Sequence, residues 1–254
     1  MNGRLAIVGL GPGAAAQQTP QATDALAAAT DIVGYGPYVD RVPARDGQAR
    51  HASDNRVEID RARHALTLAA AGRSVAVVSS GDAGVFAMAS AVFEAIEDGA
   101  AAWRAIEVEV IPGISAMFAA AARIGAPLGH DFCAISLSDN LKPWDTVVAR
   151  LTAAAEAGFV IALYNPASQA RPWQLGEAFA ILRRILPADT PVVFATAVTR
   201  PEERIDIVAL AEADPARADM RTLVMIGSAA TRRIERPAAR PWVYTPRRDG
   251  AMPR

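Results

Sequence analysis

Three short stretches combine residue types that suit ligand chemistry. Gly9-Leu10-Gly11-Pro12-Gly13 follows a short apolar run, and glycines there permit positive φ and close approach of the backbone to a ligand. Ser79-Ser80-Gly81-Asp82-Ala83-Gly84-Val85-Phe86 follows another apolar run and leads into a helical pattern. Asp82 can accept hydrogen bonds from a ligand hydroxyl or amine, or merely cap that helix, although two flanking glycines exceed what a cap requires. Ile111-Pro112-Gly113-Ile114-Ser115-Ala116-Met117 repeats the strand–turn–helix form, with Ser115 as a cap or a ligand contact. The first stretch alone reads equally as a tight turn, and the other two also read as helix caps. Three in one domain converge on the edge of the sheet where open α/β proteins bind ligands.

The first loop is a poor dinucleotide fingerprint. Ala14 stands where the sixth-position glycine belongs, Pro12 lies inside the turn, and the helix pattern starts only near Thr19. No acidic residue ends a second strand, since Asp31 precedes it, which disfavours a nicotinamide-dependent oxidoreductase.

These loops are positioned by alternating strand and helix patterns. Leu5–Val8 reads as a buried strand, and Thr19-Pro20 opens a helix to about Thr30. Ile32–Val33 reads as a short strand, and 34–48 as loop. Asp54 or Asn55 caps a helix that carries Ile59, Ala62, Leu66 and Ala69 and ends at Gly72. Ser74–Val78 is a strand, Val85 to Glu97 a helix, Val108–Ile111 a strand, and Ser115 to Arg123 a helix. The loop from Gly125 to His130 marks a domain boundary. Beyond it come strand Phe132–Leu137, helix Pro143–Ala157, strand Phe159–Leu163, helix Pro172–Leu186, and strands Val192–Ala197, Arg204–Leu210 and Thr222–Ile226. The expected architecture is α/β: an N-terminal domain over 1–124 with a mostly parallel sheet, a C-terminal domain over 125–240 with a mixed sheet, and a fraying Pro/Arg-rich tail over 241–254.

Composition narrows the function classes. With 52% apolar and 21% charged residues the chain is globular, and a formal net charge of -1 argues against a nucleic-acid-binding role. Lys142 is the only lysine among 26 basic side chains. That bias fits coding-genome composition, and also recognition of carboxylates by guanidinium groups. Cys133 is alone, which excludes an intrachain disulfide and a cysteine-rich metal or iron–sulfur site and suits a reducing, cytoplasmic setting. No apolar run suits a signal-peptide core or a bilayer span.

Taken together, the three loops resemble those of the tetrapyrrole methyltransferase family: a Gly-x-Gly-Pro-Gly first loop, a Gly-Asp middle loop and a Pro-Gly-x-Ser/Thr-Ala turn, in that order. Leu163-Tyr164-Asn165-Pro166 is similar to the family's second-domain cofactor loop, and the resemblance extends to about Ser228. Within the family, Val33–Tyr38, Ser53-Asp54-Asn55-Arg56 with Glu58, Ser80–Val85, Leu137–Trp144 and Asn165–Ser168 resemble the branch that methylates C17 of precorrin-3B. The middle loop carries Ser-Gly-Asp-Ala where uroporphyrinogen methyltransferases carry Gly-Gly-Asp-Pro. A single cysteine rules out the cluster domain of some anaerobic relatives, so the resemblance leans to the aerobic pathway.

The resemblance implies a homodimeric, S-adenosylmethionine-dependent C-methyltransferase of cobalamin synthesis that contracts the macrocycle to precorrin-4, with transient contact to neighbouring pathway enzymes. The alternatives are another precorrin methyltransferase of the family and a non-catalytic corrinoid-binding protein. It implies cofactor contacts at Pro12, Ser80, Gly81, Asp82, Val85, Ser115, Ala116, Asn165 and Ala197, with the cofactor in a cleft between domains. Asp82, Asp139 and Tyr35 are acid–base candidates for ring contraction, and His130 is equally well a loop histidine without a role. Arg41, Arg171 and Arg200 lie on expected loops, where a guanidinium can grip a substrate carboxylate through two bonds.

Overall fold

Residues 3–55, 57–168 and 171–248 are described by a computed structural model. Arg56 and the end of the tail, 249–254, lie outside the described residues. The chain forms two compact units, Met1–Ala116 and Met117–Arg254.

The first unit is built on five parallel strands: β1 (Arg4–Gly9), β2 (Asp31–Tyr35), β3 (Ala49–Ser53), β4 (Ser74–Ser79) and β5 (Glu107–Ile111), in the order β3-β2-β4-β1-β5. Side chains alternate between the two faces of each strand, and the core follows that alternation. Leu5, Ile7, Val33, Val75 and Val77 pack with α3 (Glu58–Ala70) and α4 (Met88–Asp98) on one face. Ala6, Val8, Ile32, Ala76 and Val78 pack on the other with α1 (Pro20–Ala28) and with Val39, the last residue of α2 (Gly36–Val39).

This arrangement explains where a site can form. Adjacent strands β1 and β4 lead into helices on opposite faces, α1 and α4. The region outside the carboxyl ends of strands whose connections diverge in this way is the usual ligand position in such sheets.

The second unit begins with α5 (Ala116–Ile124), of which all but the first residue belong to it. Its main sheet has the order β10-β9-β11-β8-β7, formed by β7 (Phe132–Ser136), β8 (Val160–Tyr164), β9 (Pro191–Thr196), β10 (Arg204–Ala209) and β11 (Thr222–Ile226). Only β7 and β8 pair in parallel, so the sheet is mixed. Ile135, Ile161, Leu163, Phe194, Val224 and Ile226 pack with α6 (Trp144–Glu156) and α7 (Gln174–Leu182).

Several expected elements are corrected. The segment around 34–53 holds α2 and edge strand β3; the strand ARHAS is polar and lacks the apolar signal of a buried strand. Helix α3 has Val57 at its N-cap with no side-chain bond, while the Asp54 carbonyl instead accepts a bond from Arg61. Helix α4 starts at Met88, which leaves Val85 and Phe86 in the loop.

The C-terminal segment does not fray over its described part. Strands β12 (Arg232–Arg236) and β13 (Ala239–Tyr244) form a hairpin, and β13 pairs in parallel with β6 (Gly125–Ala126). Buried Val243 and the hydroxyl bridges from Thr245 to Thr231 and to the Pro127 carbonyl anchor it. Gly125 has φ 129°, and a Cβ there would meet the Val243 carbonyl oxygen at 2.7 Å. The arginines of β12 and β13 sit on exposed strand positions and mask this pairing in the composition.

Candidate active site

In the first unit the three glycine loops are tied to one another. Gly11 and Gly81 exchange backbone hydrogen bonds of 3.0 and 2.9 Å, and both have positive φ, 69° and 68°. This antiparallel bridge joins the loops that leave β1 and β4. The third loop packs beneath it. A Cβ on Gly113 would overlap the Gly81 carbonyl oxygen and approach the Gly9 oxygen to 2.7 Å. Only glycine allows backbones this close. A Cβ on Gly81 would stand 3.7 Å from Ser115 Cα and Ala116 N, so the middle and third loops are in contact.

Two side chains complete the bracing. Asp82 Oδ1 accepts from the Gly84 amide at 2.8 Å and Oδ2 accepts from the Gly113 amide at 3.0 Å. Arg41 follows α2 and reaches over both other loops. Its Nη1 donates to Ser80 Oγ at 2.9 Å, and its Nη2 donates to the carbonyls of Leu10 and Gly11 at 3.0 and 2.9 Å. Charge-assisted bonds of this kind are stronger than neutral ones. Thus Pro12, Ser80, Gly81, Asp82, Ser115 and Ala116 come together at the carboxyl ends of β1, β4 and β5. Pro12 and Ser115 are buried there, and Val85 is half-buried beyond Asp82.

Phe86, just beyond Val85, has φ 51° and is 52% exposed. A bulky residue in this region is a strained outlier of the kind that clusters at ligand sites. Tyr35 ends β2 and stands edge-on to Tyr38 with ring centroids 5.3 Å apart.

Arg61 is a residue that sequence reasoning misses. It is 5% exposed, donates to Ser53 Oγ, to the Asp54 carbonyl and to Met88 Sδ, and so fixes the end of β3 against the start of α4. Burial lowers its pKa, against the opposing influence of Glu58, Tyr38 and Tyr35. Its position inside an amphipathic helix pattern gives no signal that it is buried.

In the second unit the candidates sit after β8 and β9. Asn165 has φ 52°, a region that asparagine tolerates better than most residues. Its Nδ2 donates to Ser136 Oγ at 2.9 Å, tying the ends of β8 and β7. The Tyr164 hydroxyl accepts from the Met117 amide at 3.2 Å. Arg171 Nη1 donates to the Asn165 carbonyl at 3.2 Å. Asp139 Oδ2 accepts from buried Gln174 Nε2 at 3.1 Å. After β9, Ala197 and Thr199 have φ of 49° and 68°, and the Arg200 amide donates to the Ala197 carbonyl at 3.0 Å. Of the five non-glycine residues with positive φ among the described residues, four (Phe86, Asn165, Ala197 and Thr199) lie in these loops.

Other titratable clusters lie elsewhere. Asp31 opens β2, at the opposite end of the strand from Tyr35. Burial raises its pKa, but bonds from Arg73, Thr30 and His51 outweigh that and hold the carboxyl at about 2. No group of His, Cys, Asp and Glu suited to a metal ion occurs among the described residues. No helix among them is long and apolar enough to cross a membrane.

The sequence matches the family model of tetrapyrrole (corrin/porphyrin) methylases over residues 4–214. It is 62% identical over 247 residues to a precorrin-3B C(17)-methyltransferase of Sinorhizobium sp, covering 97% of each chain. It is 51% identical over 252 residues to the cobalamin biosynthesis protein CobIJ of Mycobacterium tuberculosis, and there it spans 49% of that protein's length. The crystal structure of the methyltransferase CobJ is similar throughout, with a TM-score of 0.92 and 55% identity over 96% of this chain and 100% of that one.

Proposed function

Because the chain belongs to the tetrapyrrole (corrin/porphyrin) methylase family, we propose that it methylates precorrin-3B at C17 with S-adenosylmethionine and contracts the ring to precorrin-4. The observation that carries this reading is the likeness to the Sinorhizobium enzyme over nearly the whole of both chains. The physical counterpart is the bonded glycine cradle at the switch point of the first sheet.

The residues present fit the cofactor: the loops that carry Pro12, Ser80, Gly81, Asp82, Ser115 and Ala116 gather at the carboxyl ends of β1, β4 and β5, and their backbones at Gly9, Gly81 and Gly113 pack too closely to admit a Cβ at Gly113. S-adenosylmethionine, when bound, supplies an electrophilic methyl group. The chain's own part is positioning, since alignment of donor and acceptor carbon removes most of the barrier that a protein can remove here. Pro12, Ser80, Gly81, Asp82, Val85, Ser115 and Ala116 of the first unit hold the cofactor, and the family resemblance adds Asn165 and Ala197 to the contacts to be tested. Arg171 and Arg200 bind substrate carboxylates. Arg41 has donors committed to the first and middle loops, so its main contribution is to hold their spacing.

Ring contraction needs a proton donor and acceptor. Asp82 accepts backbone bonds at both oxygens, and Asp139 is held by Gln174. Tyr35, at the carboxyl end of β2, is therefore the first acid–base group to test. Tyr35→Phe should still form the methylated product and S-adenosylhomocysteine while contraction slows by about 100-fold or more, the scale of lost acid–base catalysis. Full contraction by this variant would remove Tyr35 from the mechanism. The homodimer that the resemblance implies is checked by light scattering, where a monomer mass would dispose of it.

The reaction itself is tested by anaerobic incubation with precorrin-3B and S-adenosylmethionine, followed by mass spectrometry and absorbance. A product one methyl heavier, with C17 placement by NMR, is expected. Tetrapyrrole binding without turnover would point to a carrier role, and methylation at another carbon to another branch of the family.

A further inference from the structure

The loop after β8 and the first residue of α7 hold polar groups that the protein leaves without partners. Ser168 Oγ, Arg171 Nε and Gln174 Oε1 are all buried without a hydrogen-bond partner, three of six such atoms among the described residues. They fall within seven residues of sequence. A buried polar group without a bond costs about 1–3 kcal/mol, and more when it is charged. Such a cluster needs an explanation that packing alone does not give.

The geometry of Ser168 and Arg171 supplies one. Their backbones exchange bonds in both directions, Ser168 N to the Arg171 carbonyl at 3.2 Å and Arg171 N to the Ser168 carbonyl at 3.0 Å. Residues paired in this way across an antiparallel bridge project their side chains to the same side, with Cβ atoms roughly 5 Å apart. The Arg171 Nη1 is engaged by the Asn165 carbonyl, which fixes the guanidinium and leaves its Nε edge uncommitted. A guanidinium N–H beside a hydroxyl is a donor pair, and the complementary ligand is a planar anion with two acceptor oxygens.

We propose that Ser168 and Arg171 form a carboxylate-binding subsite, closed by a small rotation of the two side chains onto the ligand. The subsite deepens the function proposed above and rests on it only for which carboxylate is bound: the amino-acid carboxylate of the cofactor or a peripheral carboxylate of the tetrapyrrole. Gln174 opens α7, donates to Asp139 through Nε2, and keeps a buried Oε1 without a bond.

The test is calorimetric titration of the wild type, Arg171→Met, Arg171→Lys and Ser168→Ala with three probes. These are S-adenosylhomocysteine, 5′-methylthioadenosine, which lacks the amino-acid carboxylate, and an octacarboxylate porphyrin. Arg171→Met should weaken one carboxylate ligand by about tenfold to a hundredfold, the scale of a lost charged bond. Ser168→Ala should weaken the same ligand less, Arg171→Lys should recover part of the loss, and methylthioadenosine affinity should not move. A loss confined to S-adenosylhomocysteine identifies the cofactor's carboxylate as occupant, and a loss confined to the porphyrin identifies the substrate's. Unchanged affinity for both, or equal losses for all three probes, would overturn the subsite. If Arg171→Met fails to fold, Ser168→Ala decides between the same outcomes. A wild type that binds neither adenosyl probe would count against the proposed function, while the porphyrin titrations would still decide the subsite.

Discussion

The glycine loops of the first unit and the loops after β8 and β9 of the second are turns at the carboxyl ends of strands, built in opposite ways. In the first unit the tight φ values fall largely on glycine, and the loose ends are bonded: Gly11 to Gly81, Asp82 to two amides, Arg41 to two carbonyls and a hydroxyl. In the second unit positive φ falls on Asn165, Ala197 and Thr199, and buried polar atoms near Arg171 have no partner. A bonded cradle is rigid before the ligand arrives and loses little freedom on binding, which favours affinity. A strained, under-bonded loop holds energy that a ligand can release. Under the proposed function this difference becomes a division of labour between a preformed cradle and contacts completed on binding.

The sharpest way to break this comparison is to spread the cradle. Gly113→Ala places a methyl against the carbonyls of Gly81 and Gly9. Overpacking against backbone costs roughly 1–3 kcal/mol or more. S-adenosylhomocysteine binding should fall at least about tenfold, with a lowered melting temperature. A Cβ at Gly81 makes only ordinary contacts of 3.7 Å with the third loop, so Gly81→Ala bears mainly the conformational cost of φ 68°, roughly 1–2 kcal/mol, and should do less damage in the same titration. Equal affinity of both variants and the wild type would mean that the cradle does not contact the cofactor.

Arg41→Met comes next. It removes donors from Leu10, Gly11 and Ser80, worth about 1.5–3 kcal/mol for a bond to a charged group. The expected result is weaker S-adenosylhomocysteine binding with an unchanged KM for the tetrapyrrole. A rise in the tetrapyrrole KM alone would return Arg41 to the role of carboxylate grip.

The acid stability of the first unit tests bracing far from the loops. The folded-state pKa of Asp31 is lowered from 3.8 to about 2. Its contribution is thus fully present above about pH 4 and is lost as pH falls towards 2, amounting to about 2 kcal/mol. Asp31→Asn should lower stability at pH 7 and flatten the loss between pH 4 and 2 in denaturant titrations. A wild-type curve with no slope there would remove the ion pair from the account. The smallest effect is expected at Ala197→Gly, where release of φ 49° should raise stability by up to about 1 kcal/mol, offset in part by the lost buried methyl.

The same contrast explains how much could be read from the sequence. The first-unit loops announce themselves because close backbone approach at Gly11 and Gly113 and positive φ at Gly81 demand glycine, and glycine stands out in a sequence. The parallel sheet is legible because its central strands are continuous apolar runs. Edge strand β3 is not, since His51 and Arg50 on it bond to Asp31 and to carbonyls instead of packing in a core. The hairpin of β12 and β13 is hidden for a similar reason: one buried valine and a threonine anchor it among arginines, and Arg236 stacks over Trp242 at 4.3 Å. Arg41 is legible as a loop arginine, but its direction is not, because its acceptors are carbonyls of Leu10 and Gly11 that are distant in sequence. The Ser168–Arg171 pair has no signature beyond two polar residues in a loop.

The most direct test is amide hydrogen exchange on the protein alone and with saturating S-adenosylhomocysteine. The amides of Gly11, Gly81 and Gly113 should be protected already without ligand and change little, whereas that of Asn165 should exchange faster in the protein alone and slow markedly on binding. Rapid exchange at Gly11, Gly81 and Gly113 in the free protein, with protection only after ligand is added, would contradict it.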